Sequence, residues 1–245
     1  KYSYQNMKMR RAMGLSINTI SAKLMKQLGP AKVAEFAHKC GIESSLHEVP
    51  SLCLGASEVS LMEQVAGYST MANGGERIDP ILVLRITDKV GNVLKEYSPP
   101  VKAVIKPETA YLMTYMLQGA IQEPGGTAEG LKRTSIVSGN EIGAKTGTTS
   151  NYSDGWFMGV TQKIVAGVWV GGDDRSIHFR SLALGQGAKM AMPAYAKFME
   201  KVYADQTLAI EGYRKMPFTK PENFAFDLTC LGRSASADST AIVDP

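Results

Sequence analysis

Apolar residues recur at helical spacing from Thr19 onward. Ile20, Leu24 and Leu28 form one stripe, and Gly29-Pro30 ends it and starts a second helix carrying Val33, Phe36, Ala37 and Cys40, closed by Gly41. Ser60-Leu-Met-Glu63 has the form of a capping box and introduces Leu61, Val65, Tyr68 and Ala72 on one face, ending at Gly74-Gly75. Ile81 to Tyr97 reads as two β-rich runs about Val90-Gly91-Asn92, a hairpin turn. Pro107 suits a first helical turn, and Leu112, Met116 and Ala120 carry a helix to Gln122, where Pro124-Gly125-Gly126 breaks it.

Beyond it the period changes from helical to extended. Strands are expected over about 141–148, 155–161 and 164–171, the last two joined by a short turn at Gln162-Lys163. Both are apolar almost throughout, which predicts strands covered on both faces in the centre of a sheet. Ala196, Met199 and Tyr203 mark a closing helix over 192–203, and the tail after it has weak periodicity. This order predicts an α+β domain: a mostly antiparallel central sheet flanked by helices.

Composition narrows the function classes. The chain has 245 residues, 44% of them hydrophobic and 20% charged, enough for one large domain or two small ones. A net charge of +4 spread over 27 basic and 23 acidic side chains, with no dense basic cluster, argues against nucleic acid as a partner. No run approaches the roughly 18 apolar residues of a membrane span. Because the chain opens on Lys1, there is room for an anchor, export signal or upstream domain ahead of it. Cys40, Cys53 and Cys230 cannot all pair with one another; buried thiols are the favoured reading, with a Cys40 to Cys53 bridge as the alternative. His38, His47 and His178 lack metal spacing and suit surface or cap roles.

The candidate chemistry lies in Lys145-Thr146-Gly147-Thr148. Lys145 brings a positive charge, Thr146 and Thr148 point to one side of a strand, and Gly147 leaves room for a ligand against the backbone, a set suited to an extended substrate with a carboxylate. A phosphate loop would need lysine directly after its second glycine and a helix beyond, whereas Ala144 intervenes here and a strand continues. The second element is Ser16-Ile17-Asn18 at a helix start, where Ser16 and Asn18 could face a cleft. Helix capping competes with that reading, and the pattern recurs at Ser138-Gly139-Asn140. Tyr152 and Trp156 read as core or rim packing.

Taken together, Ser16-Ile17-Asn18 and the distant Lys145-Thr146-Gly147-Thr148 resemble two of the three motifs shared by penicillin-binding transpeptidases and serine β-lactamases. SINTISAKLMKQLG, LMEQVAGYSTMANGG, GAKTGTTSNYSDGWFMGVTQKIVAGVWVGGDD and LALGQGAKMAMPAYAKFM are similar to the transpeptidase domain of class A, bifunctional penicillin-binding proteins, most of 10–203 being covered. The remaining motif, Ser-x-x-Lys, holds the family's nucleophile; no serine in this sequence has a lysine three positions later. The expectation is therefore a partial transpeptidase domain over 1–212, with a tail over 213–245, the nucleophile lying upstream.

The resemblance implies roles for each residue. Ser16 would relay a proton, and Lys145 beside it would keep the site electropositive. Asn18 would bind the substrate amide, while Thr146 and Thr148 hold the terminal carboxylate and the Thr148 N–H forms half of an oxyanion hole. It further implies stem peptides of peptidoglycan and β-lactams as ligands, no cofactor, a glycosyltransferase domain and membrane anchor in the parent protein, and a place on the outer face of a bacterial cytoplasmic membrane. A non-catalytic module that keeps the groove without acylation is the competing class. A β-lactamase is the third option and fits less well, because no deacylating carboxylate can be placed.

Overall fold

A computed structural model describes residues 6–228. The described residues open with α1 (Met9–Gly14), α2 (Asn18–Leu28) and α3 (Pro30–Cys40), followed by α4 (Leu61–Ala72). Gly29 has φ +84 and Gly41 φ +118, left-handed values that let the chain reverse between α2 and α3 and leave α3. The His38 ring lies 2.6 Å from the Ile42 carbonyl, so this histidine ties down the same helix end. The capping box forms as expected: Ser60 Oγ accepts from the Glu63 N–H and the Glu63 carboxylate accepts from the Ser60 N–H. That carboxylate also accepts from the Ser44 N–H and hydroxyl, and these bonds pull its pKa down to about 2.

Four short strands follow: β1 (Glu76–Ile78), β2 (Arg85–Thr87), β3 (Val93–Glu96) and β4 (Val101–Ala103). β2 pairs with β3 as the expected hairpin, with Gly91 at φ +91 in its turn, and the pair is nested between β1 and β4, which pair with each other. The apolar run 81–84 stays outside the strands, with Leu82 90% exposed, so the hairpin is shorter than its β-rich sequence predicts.

α5 (Pro107–Gln122) leads into the main sheet of β5 (Gly143–Thr148), β6 (Asp154–Val160) and β7 (Val165–Gly171), an antiparallel meander in the order β5-β6-β7. Short helices α6 (Leu182–Gly185) and α7 (Gly187–Met190) precede α8 (Met192–Ala204) and α9 (Gln206–Ile210). Helices cover both faces of the sheet. On one face Gly143 lies against Leu117 of α5 and Gly167 against Leu61 of α4; on the other the Tyr195 ring of α8 fills the space above Gly159 and meets Phe157 at 4.8 Å. A side chain on either of the glycines at 143 and 159 would meet its neighbour well inside van der Waals distance. Around Phe157 and Tyr195 gather Leu131, Ile136, Ile142 and Met199, all buried.

β7 departs from its expected place in the sheet centre. Among the described residues it pairs only with β6, its residues are part-buried or exposed, and Trp169 is 41% exposed, its indole N–H bonded to Asp154 Oδ1 at 2.9 Å. An apolar run is compatible with either a central or an edge position, because each neighbouring strand is supplied from elsewhere in the chain. Cys40 is buried and Cys53 half-buried, both free thiols; Cys230 lies outside the described residues. Of the tail, Phe218 is buried against Leu117 and Val160, and the Phe218 N–H donates to Glu141.

Candidate active site

The site assembles at the free edge of β5. The Thr149 N–H donates to the Asp154 carbonyl, making that opposed pair a hydrogen-bonded one. In an antiparallel ladder the alternation then turns the N–H and C=O of Thr148, and of Thr146, away from β6. No strand pairs with that edge among the described residues. Its backbone groups are available to an extended ligand, and the Thr146 carbonyl already accepts a hydrogen bond from Lys145 Nζ at 2.7 Å.

Ser16 reaches the same edge from the α1–α2 junction. α1 ends in a Schellman arrangement, with the Ile17 N–H on the Ala12 carbonyl and the Ser16 N–H on the Met13 carbonyl. Ser16 thereby takes the left-handed position, φ 53, that glycine usually fills. Its hydroxyl accepts a hydrogen bond from Lys145 Nζ at 2.9 Å. Ser16 does not cap α2: the cap residue is Ile17, and no side chain bonds to that helix start.

Two contacts hold α1 in place. Arg10 donates to the Tyr115 carbonyl of α5 and pairs with Glu123, the residue that follows α5, and Gly14 and Gly119 bring the two helix backbones into direct contact. Because Ser16 follows α1 within two residues, this clamp sets where its hydroxyl lies.

Lys145 is part-buried, and desolvation pushes its pKa down to about 8. It remains protonated at neutral pH and donates to both oxygens. A groove of about 480 Å³ runs over this edge. Ser16, Thr146 and Thr148 line it, and Thr148 Oγ1 accepts from the Gly187 N–H at 3.0 Å, leaving its own proton free to donate. Asn18 is exposed at the first turn of α2 and does not line the groove. Gly147 departs from expectation: a Cβ there would lie 3.0 Å from Trp156 Cβ, so its bare Cα admits the cross-strand tryptophan and not a ligand. Trp156 packs near Trp169 with ring centres 6.4 Å apart, while the Cβ of Tyr152, at φ 61, sits over Gly185; both are rim packing, as expected.

Several lining residues went unassigned at the sequence level. Thr127 follows the helix-breaking Gly125-Gly126, and its N–H donates to the Gly14 carbonyl, so this loop braces α1 from below. Arg133 and Gly130 come from the 3-10 turn Glu129–Arg133, and Gln186 and Lys189 from the α6–α7 region. The run of small and polar residues in LALGQGAKM was a visible signal, but only the fold brings it opposite β5.

The left-handed Ser16 can be tested through stability alone. Ser16→Gly and Ser16→Ala both remove the hydroxyl and differ only in the Cβ. Glycine should be the more stable variant by about 1 kcal/mol, the reverse of the usual glycine penalty. Urea melts that rank alanine equal or higher would contradict the geometry.

Compared with known proteins, residues 1–200 match the penicillin binding protein transpeptidase domain. The chain belongs to that family. It is 32% identical over 234 residues to penicillin-binding protein 1A of Aquifex aeolicus, a match covering 94% of this chain and 31% of that protein. The fold is shared with penicillin-binding protein 1A from Haemophilus influenzae, at TM-score 0.73 and 24% identity over 84% of this chain and 38% of the other. It is shared also with penicillin-binding protein A from Mycobacterium tuberculosis in a ceftriaxone acyl-enzyme complex, at TM-score 0.64 and 19% identity over 81% and 49%. The chain spans less than a third of the length of the curated relatives it matches.

Proposed function

We propose that this chain is part of a peptidoglycan D,D-transpeptidase that cross-links stem peptides through a serine acyl-enzyme and binds β-lactams. The observation that carries the reading is the hydrogen bond from Lys145 Nζ to Ser16 Oγ at 2.9 Å, formed at a strand edge that no strand of the described residues pairs with and whose Thr148 N–H points outward. A part-buried lysine whose pKa has fallen toward neutrality, bonded to a serine hydroxyl in a groove, is an arrangement suited to moving a proton.

In the proposed reaction a serine outside this sequence attacks the carbonyl carbon of the penultimate D-alanine of the donor. The C–N bond breaks, and D-alanine leaves with a proton delivered through Ser16, which Lys145 holds in position. Thr146 and Thr148 hydroxyls bind the terminal carboxylate. The Thr148 N–H donates to the oxyanion, a contact worth roughly 3 kcal/mol. An amine of a second stem peptide then attacks the ester, forming the new amide and returning the proton to the serine. Asn18, exposed beside the groove, contacts the donor amide outside it. Gly147 acts indirectly by admitting Trp156 behind the strand. In the parent protein a glycosyltransferase domain and a membrane anchor precede this region, and the site faces the outside of the cytoplasmic membrane. Among the described residues no helix is long and apolar enough to cross a membrane.

The test is intact-mass spectrometry after benzylpenicillin treatment of this chain and of one extended upstream to include a Ser-x-x-Lys. An adduct on the extended chain alone is the expected result. An adduct on neither sinks the enzymatic reading in favour of a non-catalytic groove, and one on the short chain assigns the nucleophile to a residue within it.

A further inference from the structure

The charge of the groove exceeds what one terminal carboxylate can balance. Arg133 and Lys189 line it, Lys145 stands behind Ser16, and none of the lining residues is acidic. The neighbouring cation Lys132 is bound to Glu129 at 3.1 Å, and Glu129, the acid whose charge reaches Arg133, is thereby engaged. Arg133 and Lys189 themselves make no side-chain hydrogen bond or ion pair with the described residues. Thr127 lines the same groove, and its hydroxyl oxygen is buried without a hydrogen-bond partner.

The two cations belong to segments that meet. Gly130, three residues before Arg133, lies so close to Met192 that a Cβ on it would be 2.9 Å from the Met192 Cε, and Met192 follows α7, which carries Lys189. Gln186, part-buried and with a side-chain amide that bonds to none of the described residues, lines the groove from the same segment. Unpaired cations held in a concave wall without acids concentrate anions, and a guanidinium supplies paired donors that match a carboxylate.

We propose that Arg133 and Lys189 form a second carboxylate subsite, so that the preferred peptide carries an acidic group in addition to the terminal carboxylate held at Thr146 and Thr148. This rests on the transpeptidase reading of the groove. The acid can belong to the donor, on the residue ahead of D-alanyl-D-alanine, or to the acceptor, beside its attacking amine. Both offer the same chemistry to the subsite.

Two peptide pairs separate these sources by calorimetric titration of this chain. One pair ends in D-alanyl-D-alanine and carries meso-diaminopimelate ahead of it, with its side-chain carboxyl free or amidated. The other presents a free amine beside a carboxylate or a carboxamide and has no D-alanyl-D-alanine end. In at least one pair the acid should bind about tenfold tighter than its amide at low salt, with the ratio shrinking as salt rises. Arg133→Gln combined with Lys189→Gln should bring that ratio to within about twofold by weakening the acid far more than the amide, and an unchanged melting temperature certifies the fold. The donor pair responding assigns the acid to the donor, and the acceptor pair to the acceptor. Equal binding of acid and amide in both pairs, or discrimination that survives the double substitution, overturns the subsite and leaves the transpeptidase reading standing. Failure of both D-alanyl-D-alanine peptides to bind overturns that reading as well.

Discussion

In an extended chain that contains the nucleophile, Lys145→Ala should slow acylation by benzylpenicillin by about three orders of magnitude, the scale of a positioned proton-transfer group. Lys145 is the only partner of the Ser16 hydroxyl among the bonds of the described residues, and it spans from that hydroxyl to the Thr146 carbonyl on the strand edge. Alanine removes the charge and leaves both oxygens without their donor. The wild-type rate should also decline as pH rises through about 8, where Lys145 loses its proton. Unchanged labelling of the alanine variant would remove Lys145 from the mechanism.

A second readout needs no turnover and uses the chain as it stands. The Lys145 pKa falls from 10.5 to about 8 on folding, so between those values the unfolded chain holds the extra proton. Stability gained relative to Lys145→Ala therefore rises as pH climbs from 8 toward 10.5, and below pH 8 the burial penalty is present in full. The relative gain should be about 2 kcal/mol after allowance for partial exposure. Denaturant melts at pH 7 and pH 10.5 that give the same difference between the two proteins would mean that the ammonium is not desolvated.

Gly119→Ala sets two physical effects against each other with opposite signs. Gly119 lies inside α5, where helix propensity favours alanine by about 1 kcal/mol. Packing opposes it: a Cβ on Gly119 would stand 2.8 Å from the Arg10 carbonyl oxygen, and one on Gly14 would stand 2.6 Å from the Gly119 carbonyl carbon. These neighbours are backbone, so no side chain can swing aside, and α1 must move. Overpacking should win, destabilising the domain by about 2 kcal/mol net. A shift of α1 also carries Ser16 off Lys145, and the loss of desolvation returns the Lys145 pKa toward 10.5. The variant should thus lose both melting temperature and the pH-dependent gain described for Lys145. A stabilised Gly119→Ala protein would show that the α1–α5 contact is looser than the distances state.

Some of this molecule could be read residue by residue. The helices of 18–28, 30–40, 61–72, 107–122 and 192–204 announced themselves through apolar stripes, caps and Gly or Pro stops, since those signals act within a few residues. The three strands of the main sheet followed from a change of period, and Lys145, Thr146 and Thr148 from their place on one of them. The motif pair also led to the family, which the comparison over 1–200 bears out.

What decided the site is long-range. Ser16 reads in one dimension as either a helix cap or a cleft residue, and the Schellman turn and the α1–α5 clamp decide it by holding Ser16 left-handed against Lys145. Gly147 reads as an opening for a ligand, but strand pairing places Trp156 opposite it. Arg133 and Lys189 are ordinary surface cations in the sequence. Only the packing of the Glu129–Arg133 turn against the start of α8 brings them into one groove without an acid. Local sequence determines backbone preference over a turn or two; which side chains share a cavity depends on contacts between segments far apart in the chain, and these arise only when the core closes.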